Sequence, residues 1–191
     1  MIQFFEYLSY FTPPLLLGVL AMNTVFKRES FASFGLYILF SIFNYGLNFA
    51  MYKLLVSHDN NELSDQLKEA CRNYMFSGLN SPSVNANILG FVVFTSMYML
   101  FSMLLNGSLY IMALICIVFL AINNVYHYGI RLKCVSNYVV PITVSSISAI
   151  IFGGLVFSLN KEHLLFSEST QNKNICNRKG NRFKCVAYKP K

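Results

Sequence analysis

Long apolar stretches separated by short polar ones dominate the chain. Twenty residues lie without a charge between Glu6 and Lys27, and 23 between Glu29 and Lys53. Arg72 and Arg131 enclose 58 more, and Lys133 and Lys161 enclose 27. A helix crosses the hydrocarbon core with about 20 apolar residues, whereas a barrel strand alternates polar and apolar over about 10. Continuous apolar runs of this length therefore predict transmembrane helices, in which every backbone group is satisfied within the segment. The 58-residue run is too long for one crossing. It breaks at Asn80, Ser81, Pro82, Ser83, Val84 and Asn85, and again at Asn106, Gly107 and Ser108. Five spans follow, near 7–26, 31–55, 86–104, 109–127 and 139–159. In the first, Pro13-Pro14 is expected to kink the helix or delay its start.

Between the second and third spans, residues 60–75 predict a short amphipathic helix. Leu63, Leu67 and Cys71 recur at i, i+4 and i+8, and Asn60 or Asn61 can cap its start. The reading is thus an all-α integral membrane protein: one helical bundle over 1–159 with a short amphipathic loop helix, followed by a tail over 160–191. The last span carries Ser145, Ser146, Ser148, Ala149, Gly153 and Gly154, small residues that suit helix packing inside the bundle. No acidic residue lies within any of the five proposed spans, so a proton relay or cation pathway has no groups to run on.

Composition agrees with the pattern. Of 191 residues, 55% are hydrophobic and only 12% charged, against roughly 25% charged in soluble domains. An ordinary soluble globule, a disordered chain and a coiled coil are excluded. Residues 1–6 lack a basic segment, so a cleaved signal peptide is not expected. The net charge is +7, and nearly all of it sits in the tail, where eight basic residues face only Glu162 and Glu168. With five spans the tail shares a side with Lys27 and Arg28, opposite Lys53, Lys68, Arg72, Arg131 and Lys133. The positive-inside rule then puts the tail on the cytoplasmic side. Arg178, Lys179, Arg182 and Lys184 are its densest cluster, fitted to anionic lipid or an acidic protein face; no nucleic-acid motif accompanies them. Membrane lipids and other proteins of a membrane-associated assembly are the expected partners, and nucleic acid is not.

Five cysteines form no CxxC pair, and metal is not expected. Cys71, Cys116 and Cys134 read as small apolar residues, while Cys176 and Cys185 could clip the tail on an oxidising side. Of three histidines, His127 stands at the edge of the fourth span and reads as a packed or interfacial residue. No Walker, GxSxG, HExxH or dinucleotide motif is present, and no cofactor is implied.

Two polar islands carry a resemblance. Pro82, Ser83 and Asn85 open the third span, and Arg131 is followed by Asn137 and Tyr138 just before the fifth. This order and spacing resemble the phosphatidic acid phosphatase type 2 superfamily, with its P-S-G-H and S-R-x5-H motifs, the second often followed by Tyr. The likeness is degenerate and covers roughly residues 35–159. Asn85 and Asn137 stand where the family has its two histidines. Lys53 stands at the first motif, but Asn60 and Asn61 replace its Arg-Pro. Ile130 replaces the Ser before the arginine, and Pro141 replaces the later aspartate. The resemblance implies that the motifs gather at one end of the bundle, where one histidine takes up the phosphoryl group and the other protonates the leaving alcohol. An imidazole performs both tasks near neutral pH, and an amide performs neither. The expectation is a non-catalytic relative, a pseudoenzyme with a structural or assembly role in a larger complex. Degenerate relatives occur among membrane proteins of large DNA viruses. A virion inner-membrane or minor capsid-associated component is therefore one concrete form. An accessory subunit of an organellar membrane complex is another, since the Asn-, Lys-, Ile-, Phe- and Tyr-rich composition suits an AT-rich genome. The alternative is a lipid-phosphate phosphatase or binder with a remodelled site around Asn85, Arg131 and Asn137.

Overall fold

The computed structural model describes residues 2–26, 31–55, 69, 71, 82–105, 111–159, 164–165, 175–179 and 182–186. The loop helix expected over 60–75 falls outside them except for Glu69 and Cys71, both helical. The Lys27-Arg28 turn, the 106–108 break and most of the tail also lie outside.

Five helices form an all-α bundle: α1 (Ile2–Phe26), α2 (Phe31–Leu55), α3 (Pro82–Leu105), α4 (Ile111–Asn124) and α5 (Val139–Ser158). A π-helical turn, Val125–Arg131, continues α4. Counting α4 with that turn, all five are long and apolar enough to cross a membrane. Beyond them, β1 (Ile175–Lys179) and β2 (Arg182–Val186) pair antiparallel. The bundle is apolar outside, and its interior carries polar groups among the apolar core. On α2, Ile42 is 65% exposed while Asn44 and Asn48 are 2% and 1% exposed. A water-soluble helix would turn these residues the other way. The arrangement suits a multi-pass helix whose solvent is lipid.

Helix α5 packs on α3 and α2, and α4 on α1. Small residues permit the closest approaches: Ser145, Ser148, Ala149 and Gly153 are buried, as expected for the last span. Gly153 admits Phe101, whose Cδ1 would lie 2.5 Å from an added Cβ. One core cluster stacks Tyr37, Phe94 and Tyr98, with Phe40 lying flat on Phe152 at 4.4 Å between centroids. Tyr37 and Thr95 join their hydroxyls there at 2.6 Å. A second cluster, at the other end, gathers Tyr52, Cys71, Leu89, Tyr128, Leu132, Cys134, Val135 and Val140.

Two expectations are corrected here. Helix α1 begins at Ile2 rather than near residue 7, and Pro13 and Pro14 lie inside it. A proline at 13 removes the N–H that would bond the Ser9 carbonyl. Buried Asn124 of α4 supplies the replacement, its Nδ2 donating to that carbonyl at 2.9 Å. Beside it, Asn123 Nδ2 donates to the Phe5 carbonyl at 3.0 Å. Re-satisfaction by a neighbouring helix is what lets proline stand within a membrane helix. Replacing Asn124 by Leu is expected to lower stability by about 1–3 kcal/mol, the cost of an orphaned buried acceptor. Thermal melting of the detergent-solubilised protein checks this, and an unchanged midpoint would contradict it. The earlier start also brings Glu6 into the first span, so one acidic residue does lie in a spanning helix.

The second correction concerns sulfur. Cys71 and Cys134, read as small apolar residues, are joined by a disulfide with 5.8 Å between their Cα atoms. Cys116 is free and exposed on the lipid face of α4.

Candidate functional site

The disulfide marks the end of the bundle where the resemblance would gather its motifs. That end is built by the C-terminus of α2, the start of α3, the π-turn, the connector 132–138 and the first turns of α1. The π-turn widens the end of α4 by one residue per turn, a device often found at functional sites. Its closure uses Lys133 in the left-handed region (φ 48°), with Leu132 N–H bonding the His127 carbonyl at 2.9 Å. Cys134 N–H reaches the Tyr128 carbonyl at 3.2 Å. Gly129 is required by close approach, since an added Cβ would meet Tyr138 Cβ at 3.1 Å.

Asn85 is buried in this end as a connector between elements. Its Nδ2 donates to the Cys134 carbonyl at 3.0 Å, and its Oδ1 accepts from the Tyr128 hydroxyl at 2.8 Å. One side chain thus ties α3 to the connector and to the π-turn. Tyr52 of α2 adds a third tie, its hydroxyl 2.5 Å from Ser136 Oγ. With the Cys71–Cys134 bond, four covalent or polar links converge on the segment 128–136.

Arg131 faces the other way, toward α1. Its Nη1 lies 3.3 Å from Glu6 Oε2 and 3.5 Å from His127 Nδ1, while Tyr10 donates to Glu6 Oε1 at 3.4 Å. His127 is packed, as read from sequence, with its ring edge-on to Tyr126. Asn137 is exposed and its Oδ1 accepts from the N–H of Val139, the first residue of α5, at 3.2 Å. Tyr138 packs partly buried against the second core cluster.

The remaining motif positions have local roles. Pro82 is the first residue of α3, where a missing N–H costs nothing. The Ser83 carbonyl accepts from Asn87 Nδ2 at 3.0 Å. Lys53 lies in the last turn of α2 with its Nζ 4.5 Å from the Phe49 ring centroid. Asn85, Arg131 and Asn137 therefore stand at one end of the bundle but share no hydrogen-bond partner among the described residues. No group of three or more His, Cys, Asp or Glu residues able to hold a metal occurs among the described residues.

In the tail, Arg178 pairs with Phe183, Lys179 with Arg182, and Asn177 with Lys184 across the two strands; Cys176 is opposite Cys185. This hairpin was not foreseen in the tail, whose sequence was read for charge and for a possible Cys176–Cys185 clip.

No family model, curated protein or solved structure shows a match to this chain.

Sequence reasoning missed the groups that organise the site: the disulfide, the π-turn, and Glu6 and Tyr128 as partners of Arg131 and Asn85. Only the cysteine pair had a visible signal, two thiols in the two loops assigned to one side of the membrane.

Proposed function

We propose that the chain is a non-catalytic, multi-pass membrane protein that serves as a structural or assembly component of a larger membrane-associated complex. It reads as a degenerate relative of the phosphatidic acid phosphatase type 2 superfamily. The observation that carries this reading is the engagement of Asn85. Both ends of its amide are spent within the bundle, on the Cys134 carbonyl and the Tyr128 hydroxyl. A group in that role holds elements together, and a neutral amide is neither a nucleophile nor a proton shuttle toward a phosphoryl group. Arg131 likewise has Glu6 beside it, an anion where a phosphate would compete.

Orientation belongs to the same proposal. Disulfides persist in oxidising compartments, which favours an extracellular or lumenal position for the Cys71–Cys134 end. An odd number of spans then leaves the basic tail on the cytoplasmic side, in agreement with the positive-inside rule. The tail, with Arg178, Lys179, Arg182 and Lys184, is the proposed docking element, contacting an acidic protein face next to the membrane. A virion membrane and an organellar membrane are its two proposed settings.

The test is phosphate release from a panel of lipid phosphates by the folded, detergent-purified protein. Release is expected to stay at the level of the protein-free blank. Turnover that disappears in both Arg131→Ala and Asn137→Ala would overturn the proposal and make the chain a phosphatase of unfamiliar chemistry.

A further inference from the structure

In sequence, β1 and β2 are separated by Gly180-Asn181 alone, a dipeptide suited to a two-residue hairpin loop. From the loop outward the pairs are Lys179–Arg182, Arg178–Phe183, Asn177–Lys184, Cys176–Cys185 and Ile175–Val186. The pair flanking such a loop is hydrogen-bonded, and hydrogen-bonded and non-hydrogen-bonded pairs alternate from there. Counted this way, Lys179–Arg182 and Asn177–Lys184 are hydrogen-bonded pairs, while Arg178–Phe183 and Cys176–Cys185 are not. Non-hydrogen-bonded pairs are the close ones, with Cα atoms about 4.5 Å apart, and a disulfide accepts Cα separations of about 4.4–6.8 Å. The register therefore sets the two cysteines at a spacing that a bond can close.

The same register shows why the hairpin needs a bond. A two-stranded hairpin is marginal in water on its own, and this one has no third strand among the described residues. Arg178, Lys179, Arg182 and Lys184 occupy the three pairs nearest the loop. Like charges directly opposite one another are destabilising, and Lys179 stands opposite Arg182. The basic cluster thus works against the hairpin that displays it. Location decides what kind of bond this is. Helix α5, Val139–Ser158, separates the Cys71–Cys134 end from the tail, so a spanning α5 puts the two cysteine pairs on opposite sides. On a cytosolic side disulfides are usually transient or redox-sensing.

We propose that Cys176 and Cys185 form a reversible cross-strand disulfide that locks the basic hairpin when oxidised and releases it when reduced. The inference rests on the reading of the tail as a docking element on the cytoplasmic side. The oxidant is a low-molecular-weight peptide disulfide, oxidised glutathione. One cysteine thiolate attacks a sulfur of that disulfide, forming a mixed disulfide and expelling one glutathione thiolate. The second cysteine thiolate attacks the protein sulfur of the mixed disulfide, forming the Cys176–Cys185 bond and expelling the other glutathione. Two electrons pass from the protein dithiol to the peptide disulfide, and the two thiol protons leave on the two glutathione molecules. Once closed, the bond holds the four cations in one array, so an acidic partner binds without the cost of ordering them. Cys71 and Cys134, each 1% exposed, are shielded from this exchange.

The test uses full-length protein carrying Cys116→Ser, purified in detergent and equilibrated in glutathione buffers of graded ratio, then acid-quenched and alkylated. Peptide mass spectrometry is expected to find Cys176 joined to Cys185 within one chain at the oxidising end and both alkylated at the reducing end. The Cys71–Cys134 bond is expected to persist throughout. Backbone hydrogen exchange over 175–186 is expected to slow on the order of tenfold in the oxidised form. Fluorescent poly-L-glutamate stands in for the acidic partner, and the oxidised form is expected to bind it about tenfold more tightly. The double variant Cys176→Ser, Cys185→Ser is expected to abolish that difference. The proposal is overturned if both cysteines stay alkylated in fully oxidising buffer, or if either one pairs with glutathione or a second copy instead. Equal exchange or equal binding in the two forms would also overturn it. Replacing Arg178, Lys179, Arg182 and Lys184 together by Gln separates the clip from the docking role. Lost binding with the bond still forming supports both, whereas undiminished binding overturns the docking role and the gate built on it.

Discussion

Reduction of the Cys71–Cys134 bond, or replacement of either cysteine by Ser, is expected to lower stability by about 2–4 kcal/mol. The two residues are 63 apart in sequence, so the bond closes a long loop and removes much conformational freedom from the unfolded chain. The loop contains α3 and α4, which remain helical in a membrane even when unpacked, and this trims the entropic gain toward the lower end of the range. The bond also anchors the segment holding Cys134, whose carbonyl accepts from Asn85 and whose N–H reaches Tyr128. Without it, the connector 132–138 is held by hydrogen bonds alone, from Asn85 and Tyr52 and to the π-turn carbonyls of His127 and Tyr128. Melting in detergent with and without reductant measures the effect, and non-reducing electrophoresis reports whether the bond is present. Equal midpoints for the oxidised and reduced forms would show that the connector is held without it. The exposed thiol of Cys116 supplies the control: Cys116→Ser is expected to change the midpoint little, because nothing in the bundle depends on it.

The framework was legible because span length and charge exclusion act along a single segment. The second span was read as 31–55 and the helix is Phe31–Leu55, since lipid must cover an apolar stretch wherever it lies in the sequence. Features that depend on two distant segments were not legible. Pro13-Pro14 correctly signals a broken hydrogen-bond ladder, but the repair comes from Asn124, 115 residues after Ser9. Cys71 and Cys134 follow no spacing rule, and only the bundle brings them together. Asn85 was singled out for the histidine it replaces. Its role is defined by Tyr128 and the Cys134 carbonyl, supplied by a π-turn and a connector that leave no periodic trace. Asn44 and Asn48 were passed over because an asparagine within an apolar run reads as a blemish. In a bundle whose outside is lipid, those same residues mark the inward face.

Gly90→Ala is expected to lower stability by about 2–4 kcal/mol. A Cβ at this position would lie 2.8 Å from Asn48 Nδ2 and 2.9 Å from Ser145 Oγ. Those two atoms are themselves hydrogen-bonded at 2.8 Å, so Gly90 of α3 sits against the bond that joins α2 to α5. The methyl must either break that bond or push the helices apart. Asn48 cannot swing aside cheaply, because its Nδ2 also donates to the Asn44 carbonyl one turn earlier. Helix propensity acts in the opposite direction: alanine is favoured over glycine within a helix by about 1 kcal/mol, so a net loss isolates the steric term. Gly154→Ala provides the comparison on α5, where an added Cβ meets nothing within 4 Å. That variant is expected to hold or slightly raise the melting midpoint, while Gly90→Ala lowers it. The double variant Gly90→Ala with Asn48→Ala should recover part of the loss by removing the clashing amide, and the recovery, measured as a double-mutant cycle, gives the coupling between the two helices. If Gly90→Ala alone melts with the unmodified protein, the three helices do not meet at this point and the polar junction of Asn48, Gly90 and Ser145 is wrong.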